Sequence, residues 1–141
     1  MIRDARPSDR EQLRALQTNL REPNPALLAY AVEGPPLVLV SAVDGTPAGY
    51  LVAFYDGESG YVAEIAVSPT HRREGRATQL LLATFDRLRS EGCSEVRLTV
   101  HPEDAPARRL YESAGFEEVG RESDYYADGS DGIVMGRNVL A

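Results

Sequence analysis

The chain has 141 residues, with 15 basic against 22 acidic side chains, a net charge of −7 and 43% hydrophobic content, and every basic residue is arginine. Its length suits one domain over residues 1–141 that removes roughly 70% of the unfolded surface from water, without a disulfide or metal staple. The single cysteine, Cys93, excludes an internal disulfide and a thiolate metal cluster, no apolar run approaches the ~20 residues of a membrane span, and a chain this acidic is a poor general binder of nucleic acid.

The opening "MIRDARPSDR" carries no apolar stretch of the signal-peptide kind, so the expected location is the cytoplasm. An acidic, lysine-free composition follows either from codon bias or from a salt-rich, halophilic cytoplasm in which high charge keeps proteins dispersed, and both stay open. Near molar salt the Debye length shrinks to ~3 Å, so an anionic ligand would have to be held by close contacts and not by a long-range field.

"IRDAR" reads as a first strand, and Ser8 or Asp9 can cap a helix with Leu13, Leu16 and Leu20 at helical spacing. A short second helix from Pro25 to Val32 follows, with proline in its first turn. "LVLVSAV", "GYLVAFYD" and "YVAEIAV" are three strands separated by the turns "DGTP" and "GESG", which predicts an antiparallel meander. Ala77, Leu80, Leu81, Thr84, Phe85 and Leu88 keep a 3.6-residue rhythm up to Gly92, a C-terminal cap, and Cys93 behind it reads as a small, half-buried packing residue. "EVRLTVH" is a fifth strand, "APARRLYESAG" a helix closed by Gly115, and "FEEVGRESDYY", "ADGSDG" and "IVMGRNV" a final hairpin. The expected order is βααβββαβαββ, an α/β (α+β) fold.

Between the strand ending at Val67 and the helix starting near Gly75 lies the basic turn "SPTHRREGRA". A helix start directs unpaired backbone N–H groups and the positive end of its dipole at one point, an anion site. Gly75 lets the backbone approach a ligand without a Cβ, small Ala77 does nearly the same, and Arg72, Arg73 and Arg76 can add charge-assisted bonds. The phosphate patterns GxxxxGK[ST] and GxGxxG are both absent, and an ordinary solvated helix start remains compatible with the turn alone.

"IAVSPTHRREGRATQLL" is similar to the (Q/R)xxGx(G/A) acetyl-CoA segment of the GNAT N-acetyltransferase superfamily, with Arg72, Gly75 and Ala77 at its defining positions. "DAPARRLYESAGF" resembles the later segment NxxAxxLYxxxGF at Ala107, Leu110, Tyr111, Gly115 and Phe116. "YYADGSDGIVMGR" is similar to the tail of the RimI-like and archaeal N-terminal acetyltransferases. The resemblance covers Tyr61 to Val139 well and the first sixty residues only in element order. It implies a mixed, mostly antiparallel sheet of about seven strands with about four helices, and acetyl-CoA as co-substrate with no metal.

On this resemblance acetyl-CoA lies between strands that splay near Val67 and Val100. Its diphosphate sits on Arg72, Arg73, Gly75, Arg76, Ala77 and Thr78, and the N–H of Val67 faces the thioester oxygen. Tyr111 falls on the general-acid position, protonating the departing thiolate. Asp104 stands where the family has Asn, which removes an amide donor from that cofactor contact. Tyr125 and Tyr126 would line the peptide entrance. The relatives' strand pattern LxVR, with Glu at its second position, reads "LTVH" here, so Thr99 replaces the Glu. The candidate bases are therefore His101, two residues on, and Glu64, three before Val67, unless none is needed.

A free α-amine, with a pKa of ~7.7–8.0, costs about 3.5 kcal/mol less to deprotonate than a lysine ε-amine near ~10.4, so a weak base favours a protein N-terminus as acceptor. A small amine or amino-acid-like metabolite is the alternative acceptor, and a non-catalytic acetyl-CoA-binding regulatory module the alternative of another class. Monomer and homodimer both remain open.

Overall fold

The computed structural model describes residues 1–34 and 36–140. The strands are β1 (Ile2–Asp4), β2 (Leu37–Val43), β3 (Thr46–Asp56), β4 (Ser59–Val67), β5 (Glu95–Val100), β6 (Glu117–Glu122) and β7 (Gly132–Asn138). The helices are α1 (Arg10–Gln17), α2 (Pro25–Glu33), α3 (Arg76–Ser90) and α4 (Ala105–Ser113), with 3₁₀ turns at Pro7–Asp9 and Pro69–His71. The chain order βααβββαβαββ matches the expectation, and the sheet runs β1-β2-β3-β4-β5-β7-β6. β1–β2, β2–β3, β5–β7 and β6–β7 are antiparallel, whereas β4 pairs with β5 in parallel through Ser59–Glu95, Gly60–Val96 and Tyr61–Arg97. Two compact units divide the chain: Met1–Phe54 with Val62–Thr84, and Tyr55–Tyr61 with Phe85–Ala141.

In the first unit, Leu13 and Leu16 of α1 and Leu28 and Ala31 of α2 form one buried cluster with Val38, Val40, Tyr50, Val52 and Ala66. β2 is buried from Leu37 through Ala42, as its nearly unbroken apolar sequence requires. α1 stops at Gln17, earlier than the spacing of Leu20 suggests. There the Thr18 hydroxyl donates to the Ala15 carbonyl (2.7 Å) and the Asn19 amide to that of Leu16 (3.1 Å), satisfying the last carbonyls from the side. Leu20 lies past the helix and still packs on the cluster.

Neither predicted cap of α1 acts as one. The Asp9 carboxylate instead accepts from Arg6 N–H (2.7 Å) and from both terminal nitrogens of Arg3 (2.7 and 2.9 Å), tying the end of β1 to the start of α1. α2 is capped by Asn24, whose Oδ1 accepts from Leu27 N–H (3.1 Å), with Pro25 in the first turn.

In the second unit, Phe116 packs between Phe85 (5.8 Å between ring centroids) and Tyr111 (5.9 Å). The Arg137 guanidinium lies 4.5 Å over the Phe85 ring and donates to the Ala114 carbonyl (2.6 Å), closing the end of α4. Cys93 is fully buried and not half-buried, with Sγ 3.7 Å from the Gly57 carbonyl.

The hydrogen-bonded Arg3 guanidinium holds the buried Asp9 carboxyl below its ordinary value of 3.8. Asp9 thus contributes stability that is complete above 3.8 and is lost as pH falls through the lowered value. Asp9→Asn is expected to cost about 1.5–3 kcal/mol at neutral pH, the usual range for hydrogen bonds to a charged group, and progressively less in acid. Urea unfolding across pH checks this, and a pH-independent difference contradicts it.

Candidate active site

The anion corner forms where β4 turns into α3. Arg73 (φ +64°) and Gly75 (φ +77°) both occupy the left-handed region, which reverses the chain within a few residues. The first backbone bond of α3 runs from Gln79 N–H to the Gly75 carbonyl (3.0 Å), so the N–H groups of Arg76, Ala77 and Thr78 precede the helical ladder. A Cβ built on Gly75 meets nothing within 4 Å, so glycine serves the backbone conformation there and not a tight packing contact.

The three arginines of the turn differ in their partners within the protein. Arg76 donates to Glu74 Oε1 (2.8 Å) and to Ser41 Oγ (3.1 Å), and Arg72 Nε faces the Val67 carbonyl (3.4 Å). All three bonds brace the turn. Arg73 makes no hydrogen bond or ion pair among the described residues and leaves its charge to solvent or ligand.

Glu64 in the same unit is 8% exposed. Its Oε1 accepts from the Tyr50 hydroxyl (3.0 Å), and both oxygens accept from the Gln17 amide (3.0 and 3.1 Å), which also donates to the Asn24 carbonyl (2.8 Å). Burial raises the Glu64 pKa above 4.5 against the opposing pull of these hydrogen bonds, and burial also drives the Tyr50 phenol upward. The Oε1 of Gln17 is buried with no partner.

In the second unit, Tyr111 is buried, and its hydroxyl has no hydrogen-bond partner among the described residues. Burial pushes its phenol well above the ordinary value, with Asp104, Tyr126 and Tyr61 adding in the same direction, so it stays protonated and able to donate. Asp104 caps α4: its Oδ1 accepts from Ala107 N–H (3.2 Å).

His101 is buried at 2% exposure. Its Nδ1 accepts from Glu103 N–H (3.1 Å), which puts the ring proton on Nε2, and Nε2 donates to Asp128 Oδ2 (2.9 Å). With Nδ1 facing the Glu103 N–H and Nε2 facing Asp128, neither ring nitrogen is open to a substrate in this arrangement. The geometry therefore argues against His101 as the base and ties it to the β6–β7 loop. Tyr126 packs on the His101 ring (4.8 Å), and Tyr125 packs edge-on against Tyr126 (4.9 Å).

Three participants escaped the sequence reading. Tyr61 donates to Thr99 Oγ1 (2.9 Å), lies 3.3 Å from the Tyr125 hydroxyl, and has its pKa pushed up to about 12, chiefly by burial. Asp128 and Gln17 are polar side chains in ordinary-looking loop and helix segments, and no local pattern marks them. The position of Tyr61 within β4, six residues before Val67, was the one available signal.

Because the folded state raises the pKa of Glu64, its stabilising contribution is complete below 4.5 and is lost as pH rises through the raised value. Glu64→Gln removes that dependence, so the variant's stability is expected to gain on the wild type as pH rises from 4.5 upward. Thermal melts across pH measure this, and parallel curves contradict it.

No helix among the described residues is long and apolar enough to cross a membrane. Among the same residues, no group of three or more His, Cys, Asp or Glu side chains is placed to hold a metal.

The chain is 39% identical over 79 residues to the N-alpha-acetyltransferase of Saccharolobus solfataricus, a match covering 55% of this chain and 47% of that protein. It is 39% identical over 74 residues to the ribosomal protein bS18-alanine N-acetyltransferase of Escherichia coli, covering 50% of each. The matched region thus spans about half the length of these relatives. The fold is similar to the crystal structure of Ard1 from Thermoplasma volcanium, with a TM-score of 0.92, 29% identity and coverage of 100% of this chain and 98% of that one. The crystal structure of the Escherichia coli ribosomal-protein-S18-alanine N-acetyltransferase gives 0.89, 25%, 100% and 94%. A profile of the acetyltransferase (GNAT) family matches residues 3–116, most of the chain and the whole strand–turn–helix corner, and the protein belongs to that family.

Proposed function

We propose that the protein is an acetyl-CoA-dependent N-acetyltransferase acting on the α-amine of a protein N-terminus. The observation that carries the reading is the turn at Arg73–Gly75, which bares the amides of Arg76, Ala77 and Thr78 at the start of a helix beside an unpaired arginine. Backbone donors of this kind suit a diphosphate. Relatives named for N-terminal and ribosomal-protein alanine acetylation support the acceptor.

In this reading the amine nitrogen attacks the thioester carbonyl, and the N–H of Val67 donates to the developing oxyanion. As the carbon–sulfur bond breaks, the leaving thiolate takes the proton of Tyr111. The amine surrenders one proton, for which Glu64 is the remaining side-chain candidate from the sequence, its basicity raised by burial. An α-amine is already partly neutral near its pKa of ~7.7–8.0, which lowers the demand on any base. Tyr125 and Tyr126 contact the acceptor's first residues, and Asp104 acts by capping α4 behind Tyr111.

Tyr111→Phe is expected to lower kcat by about 100-fold or more, the usual scale for a lost general acid, with acetyl-CoA affinity little changed. An unaltered kcat in a CoA-release assay removes Tyr111 from the chemistry. Gly75→Val forces a β-branched residue to the left-handed φ of +77° and is expected to weaken acetyl-CoA binding about tenfold or more in calorimetry, leaving the overall fold intact. Equal affinity contradicts the corner's role. A panel of short peptides, a lysine peptide, polyamines and amino acids separates the acceptors: turnover confined to metabolites rejects the protein N-terminus, and tight acetyl-CoA binding without transfer to any acceptor favours a regulatory module.

A further inference from the structure

The loop between β6 and β7, residues 123–131, is polar and largely exposed, and its only large apolar surfaces are the rings of Tyr125 and Tyr126. Such a segment cannot offset its ordering entropy by burial and depends on specific bonds for its shape. Some are internal: Tyr126 N–H donates to the Ser130 carbonyl (3.1 Å), Gly129 N–H to that of Tyr126 (2.9 Å), and Asp124 N–H to Asp131 Oδ1 (3.2 Å).

Asp128 joins this internal set to the sheet. Its Oδ1 accepts from Ser130 N–H (2.8 Å) inside the loop, while its Oδ2 accepts from the buried His101 Nε2–H just past the end of β5. The His101 bond and the Ser130 donors pull the Asp128 pKa down to about 2, so the acceptor stays ionised. The imidazole also carries the Tyr126 ring, Tyr126 carries Tyr125, and the Tyr125 hydroxyl reaches Tyr61, which bonds Thr99. The circuit starts at His101, just past β5, and returns to β5 at Thr99, two residues away. Gly132 at the start of β7 permits this closure, because a Cβ there would run into Thr99 Cγ2 and lie 3.0 Å from the Tyr125 ring.

We propose that His101 is a positioning residue whose bond to Asp128, with Tyr126 packed on its ring, holds the β6–β7 loop in the shape that presents Tyr125 and Tyr126 to the acceptor peptide. This rests on the proposed action on a protein N-terminus. His101 exerts its effect through the loop and touches neither reacting atom.

The test compares wild type, His101→Ala, His101→Gln, Asp128→Ala and the His101→Ala/Asp128→Ala double variant, using acetyl-CoA and the best peptide of the panel. Each alanine variant is expected to raise KM for the peptide about tenfold with acetyl-CoA affinity unchanged, and the double variant by clearly less than the product of the two single effects, since both break the same bond while each also loses a contact of its own. His101→Gln, which keeps a donor, is expected to recover part of the loss. Additive single effects, or an unchanged peptide KM in a wild-type background that turns peptides over, overturn the proposal. Asp128 sits on the exposed side of the bond, so Asp128→Ala decides the matter should His101→Ala fail to fold. Amide hydrogen exchange across residues 124–131 reads the clamp without turnover, and faster exchange by about tenfold in Asp128→Ala is expected. Wild type that acetylates no peptide removes the functional reading on which the proposal rests, whereas unchanged exchange overturns the clamp itself.

Discussion

A protein carrying a net charge of −7 has to hold a polyanion if it is to use acetyl-CoA, and only local geometry can reconcile the two. In the proposed reading the backbone between Val67 and Thr78 supplies that geometry. Two excursions into left-handed conformation, at Arg73 and Gly75 on either side of Glu74, turn the chain so that the leading amides of α3 are bared together. These donors are neutral dipoles, so they are far less sensitive to salt than a field of surface charges. Of the three arginines in the turn, Arg76 is largely spent on Glu74 and Ser41, which fixes the helix start to β2, Arg72 faces the Val67 carbonyl, and Arg73 alone of the three makes no hydrogen bond or ion pair among the described residues.

The titratable groups divide by environment in a way the proposed chemistry needs. Burial drives Tyr111 upward and keeps its proton in place, ready for a departing thiolate, with no competing hydrogen bond from the described residues. The same force raises Glu64, which makes that carboxylate a better proton acceptor than a solvated one while Tyr50 and Gln17 keep it oriented. His101 is outside this logic, since both its nitrogens are committed to holding backbone and loop.

Element order, strand assignments and the strand–turn–helix corner were legible in the sequence because each rests on local signals: period-two or 3.6-residue hydrophobic rhythm, glycine at turns, and two spaced motifs. What was not legible depends on contacts between distant positions. The partner of His101 lies 27 residues along, that of Glu64 on Gln17 lies 47 residues back, and Tyr61 meets Thr99 across 38. Strand parity could put His101 at the end of β5 beside Thr99, but it could not show that an aspartate in the closing loop would claim the imidazole. Likewise helical spacing carried α1 on to Leu20, whereas Thr18 and Asn19 end it by bonding its last carbonyls, a competition that hydrophobic rhythm does not encode.

The central claim is that exposed main-chain amides at the start of α3 grip the diphosphate of acetyl-CoA. Titrating isotope-labelled protein with acetyl-CoA while following backbone amide chemical shifts tests it directly. The account predicts saturable shifts concentrated at Arg73 and from Gly75 through Thr78, with α1 and β1 unmoved. Binding that saturates while those resonances stay still, or no saturable shift anywhere, contradicts it.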